Sequence, residues 1–227
     1  MLVLGAIGEV GQAVVDALLA ARHPVIAVAP ERAQLEALVR PAGNGPELVR
    51  VPGNTHTETA GAALANAVRL LRRPPGAVVA MVGGEFTPGR LLDQPAERLR
   101  ETFDEDLFPH LVAARHLLPL LAETGGPGPY LLIGGPAAES PWAGYGHMSV
   151  SSAALRMLAR ALREETRDGP VRVQQLAVCA PLCLSSNRDT ACPDWPLPEE
   201  LARRVVELIA HAGEEPVVRF DRRRRPA

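Results

Sequence analysis

The chain has 227 residues, is 47% hydrophobic and carries a formal net charge of -2 with histidine neutral. That length and composition suit one soluble domain with a sizeable core, and the near-neutral charge excludes a global field for nucleic acid or an anionic membrane. All 24 basic residues are Arg, which excludes a Schiff base, a lysine general acid and a P-loop lysine.

A short strand over residues 2–4 starts directly after Met1, and a few residues are expected to precede it. The stretch "LGAIGEVGQAVVDALLAA" then turns through Gly5, Gly8 and Gly11 into an amphipathic helix over 10–21. The first glycine permits a tight turn, the second lets backbone approach a pyrophosphate, and the third lets helix and strand pack closely. These three glycines read as a dinucleotide loop. Glu9, in the first helical turn, can sit at the positive end of the helix dipole and repel a pyrophosphate. A second strand, 24–29, leads to a helix over 32–39. No acid ends that strand. Glu31 can take a ribose hydroxyl and Arg32 a 2′-phosphate, or both simply begin an exposed helix.

Strands over 47–51 and 77–82 enclose a helix over 58–71. The fourth strand runs out through Met81, Val82, Gly83 and Gly84. One long helix is predicted over 96–122. Asp106 and His110 lie four apart on it and share a face. A carboxylate beside an imidazole can make a general base. The structural alternative has His110, after Pro109, packing or facing solvent, with Asp106 hydrogen bonded at a kink. A fifth strand, 130–133, precedes "WAGYGHMSVSSAAL" and a helix over 149–167. Tyr145 and His147 either point into a cleft or belong to a flexible rim. Trp142 and Trp195 supply a hydrophobic wall or ordinary packing.

The sixth strand, 171–178, is followed by the aperiodic loop 185–198, "SSNRDTACPDWPLP". This loop should overhang the carboxyl edge of the sheet, as a lid or as a plain connection. A helix over 199–212 and a strand over 216–219 complete the domain, and 221–227 forms an Arg-rich tail read as solvated. Cys179, Cys183 and Cys192 are odd in number and irregular in spacing, so neither a disulfide framework nor a metal site is expected. No apolar run suits a leader or a membrane span, which implies a cytoplasmic protein. Strict alternation of strand and helix predicts one doubly wound α/β domain over 1–220, with about seven parallel strands and helices on both faces. Ligands then bind at the carboxyl ends of the strands.

Over almost its whole length the chain resembles the short-chain dehydrogenase/reductase family. The order of elements carries the resemblance, with "VIAVAPERAQLEAL", "FDEDLFPHLVAARHLLPLL" and "SVSSAALRMLARALREE". It implies a Rossmann-type fold, NAD(P) as cofactor and oxidoreductase chemistry. It adds Gly83 and Gly84 to Gly5, Gly8, Gly11, Glu31 and Arg32 as cofactor contacts. In the family a tyrosine transfers the proton, a lysine lowers its pKa and holds the nicotinamide ribose, and a serine positions the carbonyl. Those positions fall here on Met148, Ser152 and Gly135. The family's helix asparagine falls on Asp106, and the aspartate after the third strand is missing from "VPGNTH". General acid–base help is worth about 10²–10⁴-fold, so ordinary carbonyl reduction should be nearly lost.

The resemblance with these departures implies a catalytically degenerate member. It would bind a dinucleotide or a small-molecule ligand as sensor, partner or scaffold, with NAD(P) binding weak or absent. The alternative is an NAD(P)H-dependent oxidoreductase, or a non-redox cyclase or isomerase, using Asp106, Tyr145 and His147 as substitutes. Family-like pairing of two helices across a two-fold axis implies a homodimer or homotetramer. The apolar stripes for it are Leu107, Leu111, Ala114 and Leu118 on one helix, and Ala153, Met157 and Leu162 on the other. An intact reductase is a further expected partner; nucleic acid and membrane are not.

Overall fold

Strand residues alternate between the two faces of a sheet, and here both faces are apolar. Leu2 and Leu4 enter one buried cluster and Val3 the other. Strands buried on both sides suit a parallel sheet covered by helices. The computed structural model describes residues 1–38, 45–84, 87–124, 128–211 and 213–221. Its sheet comprises β1 (Leu2–Leu4), β2 (Val25–Ala29), β3 (Leu48–Pro52), β4 (Val78–Ala80), β5 (Gly128–Gly134), β6 (Val171–Val178) and β7 (Val217–Phe220). The order is β3-β2-β1-β4-β5-β6-β7, with every neighbouring pair parallel. The expected doubly wound α/β fold is therefore the observed one. Strand order reverses between β1 and β4, which opens a crevice at their carboxyl ends.

The helices are α1 (Gly8–Ala20), α2 (Arg32–Glu36), α3 (Glu58–Leu70), α4 (Ala96–Asp106), α5 (Phe108–Ala122), α6 (Gly146–Glu165) and α7 (Pro198–Ala210). Leu18, Leu35 and Val205 bring α1, α2 and α7 onto one face. Leu64, Leu117 and Leu155 bring α3, α5 and α6 onto the other. Each fully buried leucine of this kind stabilises the fold by roughly 1.5–3 kcal/mol.

Three expected elements differ in continuity or by more than two residues at an end. The helix predicted over 96–122 is broken at Leu107 into α4 and α5. Pro109 lacks an N–H, and it falls in the first turn of α5, where that donor is not needed. The chain closes the break with a bond from His110 N–H to the Leu107 carbonyl, 3.1 Å. The helix predicted from 149 begins at Gly146, because Ser149 secures the first turn: its Oγ accepts from Trp142 N–H and donates to the Tyr145 carbonyl. The helix predicted over 32–39 ends at Glu36. The ends of the expected elements at Val39 and Ala212, and the tail beyond Asp221, lie outside the described residues.

The apolar stripes divide differently from expectation. Ala114 and Leu162 are buried, and Leu107 and Leu118 pack against the core. Leu111, Ala153 and Met157 remain exposed, joined on the surface by Phe108 and Val150. Among the described residues no helix is long and apolar enough to cross a membrane.

Candidate functional site

The first β–α turn keeps its backbone shape through glycine. Gly5 has φ +81°, and a Cβ there would overlap the Met81 carbonyl at the end of β4. A Cβ on Gly11 would overlap the Gly5 carbonyl, so α1 can lie against the turn only without a side chain. Gly8, with φ +75°, has open space beside it. Ile7 caps α1 with no side-chain acceptor, so the first-turn amides have no capping partner. Such a cradle of backbone N–H groups fits a pyrophosphate. Glu31 and Arg32 stand exposed at the start of α2.

Glu9 stands in the first turn of α1, as expected, and has a partner outside the helix. Its carboxylate reaches the loop after β6, where it accepts from Ser185 N–H at 2.9 Å and from Ser185 Oγ. These bonds hold its carboxyl below the ordinary carboxylate range. The charge is engaged across the crevice.

Beyond β4 the chain is fixed by side chains from both halves of the broken helix. Asp106 Oδ1 accepts from Gly84 N–H at 2.7 Å, so that amide is occupied. His110 is fully buried, and its Nε2 lies 2.9 Å from the Val82 carbonyl. That bond requires the proton on Nε2, and Nδ1 has no partner. Burial pushes the imidazole down to about 4, against a smaller upward effect of the Val82 bond. Asp106 and His110 are thus not brought together as a base; each anchors a different backbone group after β4. Burial raises the Asp106 carboxyl, the Gly84 bond opposes it, and nearby His147 exerts a minor lowering effect.

A cavity of about 320 Å³ lies at the carboxyl edge. Met81–Gly84, Ile133–Pro136 and Val178 form its floor and back, with Val10 at the mouth of the glycine turn. Asp106 lines it from α4, and Ser151, Ser152 and Leu155 line it from α6. Of the expected substitute residues, Asp106 alone is in the wall; Tyr145 and His147 are not, and neither is Met148 at the family's tyrosine position. Residues 89–91 lie against the first turn of α6. Gly89 N–H bonds the Gly144 carbonyl, and the Leu91 side chain lies against Gly146. His147 and Met148 are buried, and Tyr145 meets Trp142 edge-on with ring centroids 6.4 Å apart. Trp142 and Trp195 line no part of the cavity. Ala180, Pro181, Leu182 and Leu184 form the roof ahead of the predicted loop, and Asn187 adds to it from within that loop. Asn187 holds the roof's shape, accepting from Leu184 N–H at 2.8 Å and donating to the Leu182 carbonyl at 3.0 Å.

Sequence reasoning missed Ser151, Asn187 and the Glu9–Ser185 link. Ser151 had a readable signal: it stands four before Leu155 and so shares a helical face with it. Among the described residues no group of three His, Cys, Asp or Glu side chains is placed to hold a metal.

The profile of the short chain dehydrogenase family matches residues 1–191. A comparison with curated proteins finds no match. Solved structures resemble the fold closely at low identity. A short-chain type dehydrogenase/reductase from Mycobacterium ulcerans superposes with a TM-score of 0.85 at 21% identity, covering 96% of this chain and 86% of that one. A short-chain oxidoreductase from Pseudomonas aeruginosa PAO1, described as NADPH bound with an atypical catalytic center, gives 0.86 at 19% identity, covering 97% and 93%. An oxidoreductase of the short chain dehydrogenase/reductase family from Burkholderia thailandensis gives 0.81 at 23%, covering 97% and 90%. With the profile spanning most of its length, and with the sheet order and glycine turn described above, the chain belongs to the short-chain dehydrogenase family.

Proposed function

We propose that this protein binds a small molecule in the cavity and does not run the family's usual proton relay. One observation carries the reading: what stands at the positions of the relay. Gly135 and Ser152 line the cavity and bring no acid or base, while Met148 is 3% exposed and outside its walls. No lysine exists anywhere in the chain to replace the missing one. The residues that remain bind and enclose. Asn187 shapes the roof, Glu9 and Ser185 tie it to α1, and Asp106 and His110 fix the segment after β4.

The backbone of Gly5, Gly8 and Gly11 would hold the pyrophosphate of NAD(P), which when bound in its reduced form, NAD(P)H, would supply hydride for reducing a carbonyl. Against tight binding stand the missing ribose lysine, the Gly84 amide engaged by Asp106, and the Glu9–Ser185 link across the approach. Weak binding or none is the expectation. The protein then acts as a sensor, as a scaffold, or as partner to an intact reductase in the cytoplasm. It would do so as a homodimer or homotetramer through the exposed apolar residues of α5 and α6.

Asp106 favours a second reading, an NAD(P)H-dependent oxidoreductase with substitute residues. It is an ionisable wall residue whose raised carboxyl holds its proton closer to neutral pH, as a general acid requires. The Pseudomonas aeruginosa neighbour, NADPH bound with an atypical catalytic center, is a precedent for such a change. The test is NADH or NADPH oxidation against a panel of ketones, aldehydes and quinones. No turnover is expected. Clear turnover overturns the first reading, and its loss in Asp106→Asn establishes the second; loss in Tyr145→Phe or His147→Ala moves the acid there.

A further inference from the structure

A second hollow lies behind the roof. It is a groove of about 750 Å³ between α1, α7 and the loop after β6. The roof segment divides the two spaces: Leu182, Leu184 and Asn187 line the cavity, while Cys183 and Arg188 line the groove. Small side chains keep the groove open, with Ala13 and Ala17 on α1 and Ala202 on α7. Glu9, Gln12 and Asp16 recur every three or four residues along α1 and share the face that lines it. Two of its charges are committed. Glu9 is held by Ser185, and Glu199 stands in the first turn of α7, at the positive end of that helix's dipole. Among the described residues, the side chains of Gln12, Asp16 and Arg203 have no hydrogen-bond or ion-pair partner. Partial burial raises the Asp16 carboxyl. Arg188 stands near Glu9, whose carboxyl it helps to lower.

The uncommitted groups describe a ligand. Arg188, near Glu9, offers a cation at one end of the groove. Asp16 offers an anion two turns further along α1, about 10 Å away on the helix axis. Gln12 lies between them, and its amide both donates and accepts. An extended chain of three amino acids spans about 10 Å and carries an ammonium, peptide groups and a carboxylate in that order. We propose that the groove binds a short peptide of about three small residues, with its free amino terminus on Asp16, its peptide groups against Gln12 and its carboxylate on Arg188. Arg203, on the α7 wall, donates to the peptide's carbonyl oxygens. Small side chains suit a groove bordered by alanine. The peptide touches α1 and the roof loop at once, so it favours the arrangement in which the Glu9–Ser185 bonds already join them. The site stands apart from the cavity and does not depend on what the cavity holds.

Titration of trialanine into the full-length protein by calorimetry tests this, beside alanine, N-acetyl-trialanine and trialanine amide. Trialanine should bind saturably. Alanine, whose two charges lie too close to reach both ends, should bind roughly tenfold more weakly. Acetylation or amidation should each weaken binding roughly fivefold. Asp16→Asn should weaken trialanine roughly fivefold and leave N-acetyl-trialanine unchanged, and Arg188→Gln should weaken trialanine and spare its amide. Both side chains are exposed, so both variants should fold. Saturating trialanine should slow deuterium exchange at the Ser185 amide. No saturable binding, equal binding of alanine, or a variant that weakens free and capped peptides alike would overturn the proposal. Unchanged exchange at Ser185 with trialanine bound would overturn its link to the roof.

Discussion

His110 should make the fold sensitive to mild acid. Its ring is fully buried, and its Nε2–H donates a hydrogen bond to the Val82 carbonyl. Burial holds the folded-state value near 4, whereas an unfolded chain protonates near 6.5. A histidine with a depressed folded value stabilises the fold fully above its unfolded value. As pH falls from about 6.5 to about 4, the unfolded state takes up the proton first and that stability is lost. The interval corresponds to about 3 kcal/mol, a large fraction of a typical domain's 5–15 kcal/mol. His110→Gln removes the titration and keeps an N–H that can reach the Val82 carbonyl. Urea unfolding of both proteins across this pH range gives the comparison. The wild type should lose about 3 kcal/mol more than the variant, whatever their difference at neutral pH. Asp106 works in the opposite sense: its raised carboxyl takes up a proton in the folded state above the unfolded value of 3.8, so acid favours folding there. That contribution is common to both proteins and cancels. Parallel stability curves would refute the assignment of His110 as a neutral anchor.

Gly11→Ala should destabilise the protein by about 1–3 kcal/mol, because the new methyl overlaps the Gly5 carbonyl; a melting temperature unchanged from wild type would contradict the close packing of α1. Light scattering at micromolar concentration should give a dimer or tetramer, reduced to monomer by Met157→Arg with Leu111→Arg; a monomeric wild type counts against the helical interface. Glu9→Gln should tighten dinucleotide binding by removing a charge beside the glycine turn, read by calorimetry. Submicromolar affinity of the wild type for NADH or NADPH would show that the missing ribose lysine matters little.

The strands were readable because a strand buried on both faces leaves a short continuous apolar run. Residues 171–178 were predicted as a strand and are β6 to the residue. Breaks inside helices were harder. Residues 96–106 are mostly polar and 108–122 mostly apolar, and Pro109, which lacks an N–H, falls in the first turn of the second helix; that change marks the break at Leu107. Asp106, Gly83, Gly84, Gly135 and Ser152 could be placed near the cleft because their position follows from the resemblance and the strand ends. Ser151 shares a helical face with Leu155 and was legible by that spacing, which was not used. The Glu9–Ser185 bonds join groups 176 residues apart, a pairing that no local pattern encodes.

Those bonds also provide a clock for the roof. They join the first turn of the domain to its last long connection, and both partners are exposed, so the link opens without global unfolding. The Ser185 amide proton is shielded while Glu9 holds it and exchanges with solvent when it lets go. A single deuterium-exchange rate, read at one amide, therefore reports the fraction of time for which the Glu9–Ser185 link is open.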